Sequence, residues 1–312
     1  MTVRRDLILS MALAATAAAA APAFGQTAPP AAVTPSAPNA ASIPDFSGAW
    51  SHPGLGFGPQ LSGPGPVRNK SRLPSGQSNF NLLVGDYTNP ILKPEAADVV
   101  KKFGEISLSG VAFPDPDNQC LQNPVPYIFW NFSVRVLQQP DKVTFVYQHD
   151  DDFREVRLNQ RHPATVIPSV HGDSVGHYEG DTLVVDTIGV KLGPYRYIDR
   201  FGTPYTQALH VVERYRLLDY EATKEALELA AKEWPGAGSV DPNYRGKGMQ
   251  LEFTVEDEGV FTMPWSATIT YGRDAKQDWD ERVCAENVQH DYEARFYSDR
   301  NAHLPTADKP DF

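Results

Sequence analysis

Cysteine is nearly absent from this chain: two residues in 312, Cys120 and Cys284. Two cysteines exclude a disulfide-dense mini-protein and an all-cysteine structural zinc site. Positive charge is also scarce, with 28 Lys and Arg against 39 Asp and Glu and a net charge of -11. A duplex binder needs a basic face to displace counterions, so this balance speaks against nucleic acid. After residue 25 no apolar run approaches the ~20 residues of a membrane span, which leaves no transmembrane segment in the mature chain. Phosphate loops, dinucleotide fingerprints and His-Glu-x-x-His patterns are missing as well. No cofactor or metal is therefore expected from motifs, although the acidic turns leave room for a calcium ion. What is present, 41% hydrophobic and 21% charged residues, describes a globular chain. Its length allows one large all-β domain or two small ones.

Residues 1–25 have the three parts of an export signal. Arg4 and Arg5 supply the positive start, Leu7 to Ala21 is apolar and alanine-rich, and Ala21-Pro22-Ala23 or Ala23-Phe24-Gly25 offers small residues for cleavage. The Arg pair followed by Asp6-Leu7-Ile8-Leu9 suits a twin-arginine signal too, so both export routes stay open. The expected location is periplasmic or secreted. In an oxidising compartment Cys120 and Cys284 are free to pair; such a bridge closes a loop of roughly 160 residues, worth on the order of 4–5 kcal/mol. Residues 26–42, almost only Ala, Pro, Thr, Ser and Asn, read as a flexible tether. Residues 43–312 read as a single domain.

Within it, Pro94 to Phe103 opens with proline and acids, a good helix start. From about residue 127 the text becomes strand-like. Ser133–Leu137, Val143–Tyr147, Phe153–Leu158, Thr182–Thr187, Leu209–Leu217, Leu251–Glu256 and Phe261–Tyr271 alternate apolar and polar residues between Gly, Pro and Asp turns. Such short runs predict an antiparallel β-barrel or sandwich. Glu221 to Trp234 has helical spacing and is stopped by Pro235-Gly236, a helical interruption of the strand pattern at about 221–248; its reading as an insertion comes only from the resemblance to a group of secreted bacterial proteins given below.

Two stretches carry chemistry. In 173–187 a hairpin centred on Glu179-Gly180 sets His177 opposite Thr182, Val175 opposite Val184 and Asp173 opposite Asp186. Facing carboxylates share a proton or hold a cation; the alternative is that Asp173 and Asp181 bond their own turns. A three-residue turn instead sets Ser174 opposite Asp186. Gly172-Asp173-Ser174-Val175-Gly176 matches Gly-x-Ser-x-Gly, but a nucleophile elbow needs a helix after the serine and here a strand follows. In 209–217, alternation places Val211, Glu213, Tyr215 and Leu217 on one face and His210, Val212, Arg214 and Arg216 on the other. A glutamate on a core face is either a base in an apolar cavity or half of an ion pair with an arginine such as Arg154.

The run Gly172 to Thr187, with Ser174-Val175-Gly176-His177-Tyr178-Glu179-Gly180-Asp181-Thr182-Leu183-Val184-Val185-Asp186-Thr187 at its centre, resembles the signature of a large group of secreted bacterial proteins. Ile198 to Thr206, Leu209 to Tyr215, Pro264-Trp265 and Cys284 to Asn287 are similar to that group too. The group has Trp at Tyr178 and His at Thr203 and Tyr205, so no role of those histidines carries over. The resemblance implies an exported β-rich fold and brings no activity with it. Separately, Phe46-Ser47-Gly48-Ala49-Trp50 looks like the Gly-x-Trp first strand of lipocalins, barrels whose cavity holds one small apolar ligand.

These readings combine into an all-β, antiparallel, lipocalin-like barrel around a ligand cavity. The function expected first is a cofactor-free lyase- or isomerase-type enzyme acting on a hydrophobic aromatic molecule. In it Glu213 or Asp186 is the base, His210 or His177 the acid, and Arg154 or Arg214 stabilises negative charge. A non-catalytic carrier using the same cavity is the alternative, and an envelope interaction module comes third.

Overall fold

A computed structural model describes residues 43–276 except 53–55, 112, 131–132, 149–151, 194 and 235–239. The expected export signal, the tether and Cys284 lie outside the described residues. Nine strands among the described residues close into a barrel in sequence order. They are β1 (Gly48–Ser51), β2 (Ser133–Gln138), β3 (Lys142–Tyr147), β4 (Phe153–Leu158), β5 (Asp173–Glu179), β6 (Thr182–Ile188), β7 (His210–Leu218), β8 (Gly248–Glu256) and β9 (Trp265–Arg273). Helices α1 (Pro94–Leu108) and α2 (Tyr220–Glu233) lie between them. Pro94 stands in the first turn of α1, and Asp219 caps α2 by accepting the Ala222 N–H.

Period-two alternation turns one face of each strand inward. In β3 this buries Val143, Phe145 and Tyr147; in β7 it buries Val211, Glu213 and Tyr215. Pairing of Trp50 with Arg273 and of Ser51 with Gly272 joins the first strand to the last, so the sheet has no free edge. The expected strand at 261–271 starts only at Trp265, after Pro264, which lacks a ladder donor.

The expected antiparallel barrel is present, with one local exception and one corrected hairpin register. The barrel is antiparallel except at β4 and β5, where Arg157 pairs with Val175 and Leu158 with Gly176 in parallel. Parallel neighbours need a crossover, and residues 159–172 supply it; Asn159 ends β4 at a φ of 56°. The β5–β6 hairpin turns on Gly180-Asp181 rather than Glu179-Gly180, with Glu179 paired to Thr182. Gly180, at a φ of 61°, takes the first loop position, where a two-residue turn asks for glycine. Asp173 therefore faces Ile188, and Asp186 faces Val175.

One end of the barrel, where Val255 pairs with Trp265, is closed by aromatics that stand outside the strands. Phe57 packs edge-on to Phe253 at 4.9 Å and lies 6.1 Å from Trp265. Phe129, in a 3-10 helix at Tyr127–Trp130, reaches Phe253 at 5.2 Å. Trp130 meets Phe57 at 5.3 Å and Phe201 at 5.7 Å. Each such ring removes about 150–250 Å² from water, several kcal/mol apiece at ~25 cal/mol/Å².

Candidate functional site

Among the described residues the inward faces of the strands are mostly apolar, and a polar cluster stands among them on β4 and β7. Inward alternation on β4 and β7 brings Arg154 and Glu213 together, with Glu213 wholly buried and Arg154 3% exposed. Arg154 donates Nη1 to Oε1 at 2.8 Å and Nη2 to Oε2 at 2.5 Å, the two-pronged fit of guanidinium to carboxylate. The Tyr215 hydroxyl donates to Oε2 at 2.7 Å and Thr187 Oγ1 to Oε1 at 3.3 Å. Ser174, the serine of the Gly-x-Ser-x-Gly match, lies 2.9 Å from Thr187 Oγ1 and is buried at the back of this network. The Arg154 guanidinium also stands over the rings of Phe145 (5.2 Å) and Phe129 (5.5 Å).

Burial opposes the charge of Arg154, but Glu213 and the neighbouring tyrosines overcome it and hold the guanidinium protonated more firmly than usual. Burial, aided by Glu213, pushes the Tyr215 hydroxyl well above its ordinary range. Tyr271 rises chiefly through burial, with Tyr147 and Glu213 adding to it. Two buried polar atoms here have no hydrogen-bond partner: the Tyr147 hydroxyl and Arg154 Nε.

A second cluster lies on the outer face. Asp173, Asp186, His210 and Glu256 project there from β5, β6, β7 and β8, and His162 reaches them from the crossover. His162 Nδ1 lies 2.6 Å from Asp173 Oδ1, and its Nε2 lies 2.9 Å from Asp186 Oδ1. His210 Nε2 is 3.2 Å from Asp186 Oδ2, and Nδ1 is 3.5 Å from Glu256. Arg157 closes the row on Asp173 with two contacts of 2.9 Å. The two aspartates thus do not face each other; an imidazole bridges them. An imidazole donates from both nitrogens only when protonated, so in that form the row alternates three cations with three anions.

His177 and Arg214 are elsewhere again, at the exposed hairpin end, where His177 Nε2 is 3.1 Å and Arg214 Nη2 2.7 Å from Glu179. Ion pairs this exposed contribute little. The six expected site residues therefore do not meet in one pocket. Arg154 and Glu213 meet inside, Asp186 and His210 meet outside, and His177 and Arg214 meet at the rim. Sequence reasoning missed His162, whose crossover has no periodicity to betray its direction, and Tyr147, which read as an ordinary core aromatic. Among the described residues no three His, Cys, Asp or Glu side chains are grouped to hold a metal ion, and no helix is long and apolar enough to cross a membrane.

The outer row predicts a pH dependence. The hydrogen bond with Asp186 raises the pKa of His210. The same bond lowers Asp186, against partial burial, and Arg157 lowers Asp173. The His210 contribution is fully present below the ordinary histidine value of about 6.5 and is lost as pH rises through the raised one. The aspartate contributions are present above about 3.9 and are lost as pH falls through the lowered values. Urea unfolding of His210→Gln should show a smaller loss of stability between pH 6 and 9 than the parent chain; parallel pH profiles would contradict this.

The chain matches no protein family, no curated protein and no solved structure.

Proposed function

We propose that the protein is an exported carrier that binds a hydrophobic, aromatic small molecule inside its barrel. The observation that carries this reading is the partnerless Tyr147 hydroxyl, buried among the interior aromatics beside Arg154 and Glu213. A buried hydroxyl without a partner costs about 1–3 kcal/mol. An apolar ligand bearing one oxygen acceptor offsets that cost while filling an aromatic environment. Export, to the periplasm or beyond, rests on residues 1–25.

Binding is favoured over acid–base chemistry because a general base needs a free lone pair aimed at substrate. Both oxygens of Glu213 already accept from Arg154, and Tyr215 and Thr187 add further donors. A lyase- or isomerase-type enzyme is the second reading. Its support is the half-exposed Asp186–His210 pair, a carboxylate orienting an imidazole; it requires His210→Ala to abolish turnover of a bound compound while leaving binding intact.

The carrier reading is tested by quenching of interior tryptophan fluorescence with 2-acetylnaphthalene and with 2-ethylnaphthalene, which lacks the acceptor. The ketone should bind the parent chain more tightly, and Tyr147→Phe should weaken ketone binding about three- to tenfold, one net hydrogen bond, with the hydrocarbon unaffected. Equal affinity of parent and variant for the ketone would remove Tyr147 from the site.

A further inference from the structure

Tyr147, the last residue of β3, stands opposite Asp152, which leads into β4: the Tyr147 N–H donates to the Asp152 carbonyl at 2.7 Å. Directly opposed residues share a face, with Cβ atoms about 4.5–5.5 Å apart. That face is the inner one. Asp152, Arg154 and Val156 are buried in alternation with Phe153, which is 64% exposed. Asp152 therefore belongs to the barrel interior beside Tyr147.

Only one oxygen of this carboxylate is engaged. Oδ1 accepts from Gln122 Nε2 at 2.9 Å. Oδ2 faces Nε2 of His171, at the end of the crossover, across 3.6 Å, too far for a hydrogen bond. Both atoms are sealed from solvent, and neither has a hydrogen-bond partner. The Tyr147 hydroxyl is in the same condition. Burial, with Glu213 and Asp152 adding to it against Arg154, holds that hydroxyl protonated well above its ordinary range, so it is available as a donor. Neighbouring side chains on the inner face thus present one acceptor and two donors, counting His171 in its Nε2–H form, with nothing to bond. Buried polar atoms are nearly always paired, and each one left alone is costly.

We propose that the ligand of the carrier is an aromatic molecule with two oxygens: a phenolic hydroxyl seated between Asp152 and His171, and an acceptor oxygen on Tyr147. The proposal deepens the carrier reading and rests on it. A hydroxyl is the group that satisfies both partners at once. It accepts from the His171 Nε2–H and donates to Asp152 Oδ2. An ether or a carbonyl accepts from His171 and leaves Asp152 Oδ2 alone; an ammonium donates to Asp152 and leaves His171 alone. A carboxylate sets a second negative charge against Asp152.

Tryptophan quenching on the full chain tests this, with 2-acetylnaphthalene as reference beside its 5-, 6- and 7-hydroxy and methoxy derivatives, all below the titration of the naphthol. At least one hydroxy isomer should bind the parent about tenfold or more tighter than both the reference and its own methoxy counterpart, the return of two net hydrogen bonds. That hydroxy-to-reference ratio should collapse toward one in Asp152→Asn, whose side-chain oxygen still accepts from Gln122, and in His171→Phe, which keeps a ring and loses the donor. Either variant that folds suffices. A parent in which no hydroxy isomer gains over the reference overturns the proposal and means that water fills the gap. A gain that survives in a folded variant overturns it too. A failed carrier reading looks different, because then none of the compounds binds.

Discussion

Glu213→Ala is expected to destabilise the protein by about 3–5 kcal/mol, the loss seen when one partner of a buried ion pair is removed. The reason is local. Arg154 remains 3% exposed with its charge unpaired. Tyr215 and Thr187 lose their acceptor in the same step. Removing both charges is different: Arg154→Met with Glu213→Leu leaves no buried ion, and its stability should fall within about 1–2 kcal/mol of the parent, or above it. Urea unfolding of the single and double variants measures both numbers. A single-variant loss under 1 kcal/mol would mean that water reaches the pair despite the burial described above.

Phe253→Ala carries the second large effect, about 3–5 kcal/mol. Phe253 is fully buried and touches Phe57, Phe129 and Trp265 at once, with ring centroids between 4.9 and 6.0 Å. Its loss removes the ring on which the aromatics from outside the strands converge, and those rings cannot collapse into the gap without leaving their own contacts. Leu137→Ala, on the exposed side of β2, should by contrast change stability by no more than about 0.5 kcal/mol. Comparable losses at the two positions, read from thermal or urea unfolding, would contradict the assignment of inner and outer faces.

Both assignments were readable from sequence, because alternation is a local property. Val211, Glu213 and Tyr215 share a face whatever their neighbours, and the β5–β6 register, although moved by two residues, kept Asp173, His177 and Asp186 on one side, since an even shift preserves the face. Pairing partners are not local. Nothing in Asn159 to Gly172 announces a crossover, so the parallel β4–β5 contact, and with it His162 between two carboxylates, emerged only from the fold. The expected acid–base set failed to converge for the same reason. Glu213 and His210 are three residues apart, an odd separation that sends one inward and the other outward, so both could not serve one pocket. The barrel itself was legible because its strands are short, evenly spaced and separated by turn residues.

The outer row and the interior cluster then divide the work. The row pins the crossover to β6 through His162 and closes the sheet around its one parallel joint. The interior pair stands beside Tyr147, the group a ligand would meet in the proposed carrier. A cleft of about 130 Å³ between α2 and the outer face of β8–β9, lined by Leu229, Trp234 and Gln250, is the competing place for a small apolar compound.

The central claim, a ligand held inside the barrel, is tested most directly by following tryptophan indole N–H signals in NMR while 2-acetylnaphthalene is added. The account predicts saturable one-to-one shifts at Trp265 and Trp130, with Trp234 following only weakly through its contact with Trp130. Shifts confined to Trp234, or none at any indole, would contradict it.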